Sequence, residues 1–164
     1  MHFQRILLVL LLTWALTATF LAIFFAYLYL GAESKFSQTI IYVNVGINYG
    51  NGTLMWYNNT RALNKMSAYE VLLLVANVSA NVGVYGVYIF EINGVIENEN
   101  CSWMYAAYDR NDVQAMAIVD SWVYPAISSD KFIVRNGDII VWVFFNWGTH
   151  WPPPLPTSTE DLRR

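Results

Sequence analysis

Residues 132–145 read FIVRNGDIIVWVFF, and their reading decides the fold. Phe132-Ile-Val134 is extended in character, Asn136-Gly137 is a turn dipeptide, and Asp138 to Phe145 is a strand, so the stretch predicts a closing hairpin. A strand covered on one face alternates apolar and polar residues. Here Ile139, Val141, Val143 and Phe145 fall on one face and Ile140, Trp142 and Phe144 on the other. Both faces are apolar, so the sheet needs cover on both sides. Val87 to Phe90 behaves in the same way.

Upstream, Ile40 to Ile47 alternates and meets Tyr49-Gly50-Asn51-Gly52 before Leu54-Met55-Trp56-Tyr57, which predicts two strands joined by a glycine-rich hairpin, with residues 58–65 as a polar loop. Ser67-Ala-Tyr-Glu70 is a capping box: the Ser67 hydroxyl accepts from the Glu70 amide while the Glu70 carboxylate accepts from the Ser67 amide. With Val71 to Val78 following, it predicts one helix from about Ala68 to about Ala80. Val84 to Ile92 reads as a strand, Asn93-Gly94 as a type I′ turn, and Trp103 to Tyr108 as an aromatic strand. Residues 115–119 and 122–124 look extended.

The remaining segment sets the compartment. Ile6 to Leu30 runs 25 residues without a charge; as a helix it rises about 37 Å, enough to cross a hydrocarbon core of about 30 Å. Thr13, Thr17 and Thr19 can return their hydroxyls to carbonyls one turn back. A cleaved signal has a shorter apolar region and small residues at its cleavage site, whereas Leu28-Tyr29-Leu30 is bulky, so the expectation is an uncleaved signal-anchor at the cell membrane. Arg5 places the N-terminus, residues 1–5, in the cytoplasm. Residues 31–37 are then a linker, 38–145 an extracytoplasmic domain and 146–164 a tail rich in Pro and Trp.

Removing Arg5 leaves eight basic against twelve acidic side chains, a balance that argues against nucleic acid. One cysteine, Cys101, excludes an internal disulfide framework. Four N-x-S/T sequons, at Asn51, Asn58, Asn77 and Asn100, make the domain a candidate glycoprotein.

The order of these pieces resembles the β-domain at the C-terminus of transcobalamin and intrinsic factor, a β-grasp-like domain that recurs in prokaryotic surface proteins. The resemblance spans about Gln38 to Phe145 and is carried by Ser67-Ala-Tyr-Glu70 with Leu72-Leu73, Ile92-Asn93-Gly94, Trp103-Met-Tyr105 and Asn136-Gly137-Asp138-Ile139. It implies an α+β fold: one helix against mostly antiparallel strands. Relatives that bind corrinoid do so with a separate α-helical domain that has no counterpart in this sequence, and the Asn-Gly pair usual after the W-x-Y strand is replaced by Tyr108-Asp-Arg-Asn-Asp112. No ligand is implied.

Chemistry is sparse. His2, His150 and Cys101 assemble no soft-ligand cluster, so the paired cysteines and histidines of an oxidase copper subunit are missing and no cofactor is implied. Cys101 lacks an evident base to activate it, Glu70 is explained by capping, and Gly83 to Gly86 has neither the spacing nor the helix of a phosphate loop. Asp109, Arg110 and Asp112 read as a turn.

Two readings stay open for the second sheet face. Either the tail folds back with Trp147 and Trp151, or a partner covers Tyr88, Phe90, Trp142 and Phe144. The expected function is a non-enzymatic interaction or accessory subunit working with another membrane or surface protein. A cobalamin-carrier-like ligand module is the alternative, with Trp103, Tyr105, Asp109 and Arg110 as its surface, and an accessory subunit of a membrane oxidoreductase comes third.

Overall fold

The computed structural model describes residues 2–36, 39–148, 151–152 and 155. The chain divides into two compact units, Met1–Gln38 and Thr39–Arg164.

The first unit is one helix, α1 (His2–Phe36). Its apolar span, Phe3–Leu28, is long enough to cross a bilayer and is exposed throughout. As the sequence implies, the threonines return their hydroxyls to the helix: Thr13 to the Leu10 carbonyl at 2.9 Å, Thr17 to Trp14 at 2.8 Å and Thr19 to Ala15 at 2.8 Å. The expected linker is corrected in part, because residues 31–36 continue the helix. Ala32, Glu33 and Lys35 are good helix formers, and nothing there stops propagation.

The second unit is α+β. Its main sheet has six strands in the order β2-β1-β9-β6-β8-β7, and a smaller sheet has the order β3-β4-β5. Strand β1 (Ile40–Asn48) pairs antiparallel with β2 (Leu54–Leu63) and parallel with β9 (Ile139–Asn146). Strand β9 also pairs antiparallel with β6 (Cys101–Tyr108), which continues through β8 (Trp122–Pro125) to β7 (Ala115–Val119). The small sheet is β3 (Val78–Gly83), β4 (Gly86–Ile92) and β5 (Val95–Ile96).

Four local expectations are corrected. Residues 58–63 are strand rather than loop. They form the edge of the main sheet, where polar side chains face water, and a bulge between Val43 and Val45 is filled by the Asn44 side chain accepting the Asn59 amide at 2.8 Å. The helix α2 (Ala68–Leu72) has the capping box but stops after five residues. From Val78 the backbone gains more by pairing with β4 than by continuing the helix. Val84 and Tyr85 are the turn between β3 and β4, so the strand begins at Gly86. Finally, Phe132 to Val134 makes no strand with β9. Ile133 forms one bridge to Ser67, and Phe132 and Val134 bury themselves under α2 while β9 takes the sheet's centre between β1 and β6.

Two cores result. On one face of the main sheet, Ile41, Val43, Val45, Ile47, Ile140 and Trp142 pack with Val71 and Leu72 of α2 and with Ile89 and Ile92 of β4. On the other, Val141, Val143 and Phe145 pack with Ala106, Trp122 and Tyr124, joined by Trp56, Met104 and Leu155. The tail supplies cover there. Trp147 donates from Nε1 to the Ser102 hydroxyl at 2.8 Å, and Trp151 stacks on Trp147 at 5.9 Å and lies 5.7 Å from both Phe145 and Tyr124. His150 and Pro153, Pro154 and Pro156 lie outside the described residues.

Candidate functional site: the β3–β4 hairpin

Between paired Gly83 and Gly86 the chain turns on Val84 and Tyr85, and the strand ends around that turn carry no charge. Val82, Val84 and Tyr85 are 85%, 96% and 88% exposed, higher than any other large apolar side chain described. Tyr88 follows at half exposure. Most strands of this unit bury their apolar residues against a second layer, although β7 leaves Met116, Ile118 and Val119 about half exposed; at the hairpin tip the apolar side chains project furthest into solvent.

The hairpin base is held by residues 126–131. The Asp130 carboxylate accepts the Val87 amide at 3.0 Å and a short hydrogen bond from the Ser128 hydroxyl, which also lies 3.1 Å from the Val87 carbonyl. Lys131 donates from Nζ to the Tyr85 carbonyl at 3.0 Å. The Ser128 bond, then the Val87 amide, hold the Asp130 carboxyl below the usual carboxylate range. Gly86 sits at φ 125°, and a Cβ there would come within 2.5 Å of the Asp130 and Ser128 side chains, so only glycine lets the loop approach. Between hairpin and loop lies an open groove of about 660 Å³, lined by Val82, Tyr85, Tyr88, Ile127 and Lys131 among others. At its rim Tyr88 donates to Glu97 through a short hydrogen bond, which with burial pushes its phenol up to about 12.

The expected partner surface does not assemble. Trp142 is 2% exposed, tilted against Tyr105 at 5.3 Å, and Phe144 is half-buried against Trp103 at 5.1 Å. Both lie on the helix side of the main sheet, because Ile140, Trp142 and Phe144 point toward α2 rather than away from it. Of the four residues only Tyr88 is exposed; Phe90 is half-buried, and their strand neighbours Val87 and Ile89 are the ones that pack on the core.

The expected ligand surface is also dispersed. Trp103 and Tyr105 are core residues whose polar atoms are used: Trp103 Nε1 donates to the Val95 carbonyl at 3.0 Å and the Tyr105 hydroxyl to Ile127 at 2.7 Å. They line a cavity of about 170 Å³ whose walls include neither Asp109 nor Arg110. Asp109 sits at φ 53° in an exposed turn, where it accepts from Asn111 at 3.1 Å. Arg110 turns inward, 6% exposed, with its guanidinium 4.5 Å above the Phe132 ring, bonded to Asp112 at 2.8 Å and to buried Asp138. Burial is the largest influence on Asp138 and holds its carboxyl above the usual range, while Arg110 holds Asp112 below it. The cluster ties one loop to another and is structural.

All four sequon asparagines, Asn51, Asn58, Asn77 and Asn100, are exposed. Cys101 is half-buried at the start of β6. Among the described residues no group of three His, Cys, Asp or Glu side chains is placed to hold a metal.

No protein-family model matches the chain, and no curated protein matches it. Solved structures do. A candidate metal binding protein from Ruminococcus gnavus ATCC 29149 superposes over 65% of this chain and 97% of its own, with TM-score 0.51 and 16% identity. Haptocorrin, solved in complex with Cbi, superposes over 66% of this chain with TM-score 0.50 and 17% identity. The likeness takes in 26% of the haptocorrin chain. At these identities the likeness is one of fold, and it agrees with the resemblance drawn from the order of the motifs.

Proposed function

We propose that the chain is a membrane-anchored, extracytoplasmic contact module, an accessory component of a surface or membrane assembly, which meets its partner through the tip of the β3–β4 hairpin. The observation that carries this reading is the exposure of Val82, Val84 and Tyr85 on a hairpin whose base is fixed by Asp130, Ser128 and Lys131. Exposed apolar side chains on a pinned scaffold mark contact sites, since isolated soluble domains rarely keep them clustered.

A small-molecule reading has one observation in its favour: the groove beside the hairpin, at about 660 Å³, falls in the range of ligand sites, roughly 300–1,000 Å³. Against it, the polar groups at its floor, Ser128 and Lys131, are already bonded to the hairpin backbone. The likeness to haptocorrin supports a shared scaffold for this reading and no particular ligand.

Two measurements test the proposal. External protease on intact cells should remove a C-terminal tag and spare an N-terminal one; a mature chain starting near Ala32 would overturn the anchor. A photo-crosslinking residue at position 84 of the full chain, activated in native membranes, should form an adduct, whereas one placed at exposed Asp120 should not. No adduct at position 84 would overturn the hairpin as the contact.

A further inference from the structure

We infer that the hairpin tip contacts the lipid of the membrane that holds α1, dipping Val82, Val84 and Tyr85 into the bilayer interface. This rests on the contact-module reading above and names the partner of the same site.

Size is the first ground. A specific protein interface buries about 800 Å² on each side. One tyrosine offers about 200 Å² and two valines less each, so the tip presents roughly 400–500 Å². That is small for a protein partner and ample for insertion into a surface that has no shape of its own to match.

Chemistry is the second. The run from Asn81 to Tyr88 is uncharged, two valines and a tyrosine lead it, and tyrosine favours the membrane–water boundary. The cation at the groove, Lys131, bonds the Tyr85 carbonyl at the turn itself, so its charge favours anionic phosphate headgroups and keeps the tip at their depth rather than in the hydrocarbon. The two central carbonyls and amides of a hairpin turn are costly in hydrocarbon, which limits the depth to the interface. The bond from Lys131 satisfies one of them.

The test uses the full chain reconstituted in phosphatidylcholine–phosphatidylglycerol vesicles. In a Cys101→Ser background, Val84→Cys and, separately, Tyr85→Cys are labelled with an environment-sensitive fluorophore, with Asp120→Cys in the β7–β8 turn as reference. Both tip residues are almost fully exposed, so neither change threatens the fold. The expected result is blue-shifted emission from the tip labels, quenched by spin-labelled acyl chains and shielded from aqueous iodide, while the reference shows the reverse. Tip labels that iodide quenches as readily as the reference would overturn lipid contact. The crosslink at position 84 then separates the two readings: an adduct with a second polypeptide keeps the contact module and removes the lipid, and no adduct of either kind removes both.

Discussion

The carboxylate of Asp130 accepts the backbone amide of Val87 at 3.0 Å, tying the 126–131 loop to a strand 43 residues earlier in the chain. No ladder bond could do this work, because the loop is not a strand. With the Ser128 and Lys131 contacts, the bond holds the hairpin as a fixed projection.

Asp130→Ala is expected to cost about 1.5–3 kcal/mol, the range for a hydrogen bond to a charged group, with the loss local to the hairpin. Amide exchange at Val87 should accelerate while exchange in β6 and β9 stays unchanged. The pH dependence has a definite sign. Asp130 is held below its ordinary value in the folded state, so its contribution is present above about pH 4 and is lost as pH falls through the lower folded value. The stability gap between wild type and Asp130→Asn should be flat from neutral pH to about pH 5 and shrink below it. A gap that widens on acidification would refute this assignment.

On α2 the capping box is complete: Ser67 donates from its amide to Glu70 at 2.7 Å and accepts the Glu70 amide at 3.2 Å. Leu72 is fully buried and Leu73 is 45% exposed. Leu72→Ala should cost about 2–5 kcal/mol, Ser67→Ala about 1 kcal/mol or somewhat more because the site is buried, and Leu73→Ala less than about 0.5 kcal/mol. Denaturant midpoints check all three, and equal losses at Leu72 and Leu73 would show that the helix is rotated from this position.

These residues show where the sequence was legible. The capping box, the turn at Asn93-Gly94 with both residues at positive φ, and the doubly buried strand around Val141 are local signals, and local geometry decides them. The extent of α2 is not local. Val71 to Val78 is as apolar as a helix face, but Val78 to Gly83 finds ladder partners in β4, and that pairing wins. Gly83-Val-Tyr-Gly86 was the available signal: two glycines around a two-residue turn mark a hairpin as well as they fail to mark a phosphate loop. The burial of Arg110 was likewise hidden, since its partner Asp138 lies 28 positions away and its ring contact, Phe132, reads as a strand residue. Which face Trp142 takes depended on the side of the sheet on which α2 packs, a long-range choice.

Arg110 holds the 109–112 turn against residues 132–138 through Asp112, Asp138 and the Ile133 carbonyl. Removing it leaves Asp138 buried without its cation. Arg110→Ala should cost about 3–5 kcal/mol, and Arg110→Lys should recover only part, because an ammonium cannot bond both carboxylates in a fork and lie flat on Phe132. Chemical unfolding of the three proteins provides the comparison. Full rescue by lysine would mean that charge alone, not planar geometry, holds the turn.

The second face of the main sheet gives the last prediction, because its cover comes from the chain's own tail. Phe145 and Tyr124 are 3% and 0% exposed, and Trp151 lies 5.7 Å from each ring. Trp147 is anchored twice, by its indole to Ser102 at 2.8 Å and by its amide to the Asn100 carbonyl at 2.9 Å. The two indoles are about half exposed, so each hides about 100 Å², and at roughly 25 cal/mol per Å² the pair contributes at most about 5 kcal/mol. A chain ending at Phe145 should therefore unfold at lower denaturant concentration by up to that amount and bind a hydrophobic dye at the exposed face. Trp151→Ala should show a smaller loss than Trp147→Ala, since it keeps the two backbone and indole anchors of Trp147. If the truncated chain melts with the full-length one and binds no dye, the tail is not the cover, and the face around Phe145 and Tyr124 becomes the place to look for a protein partner.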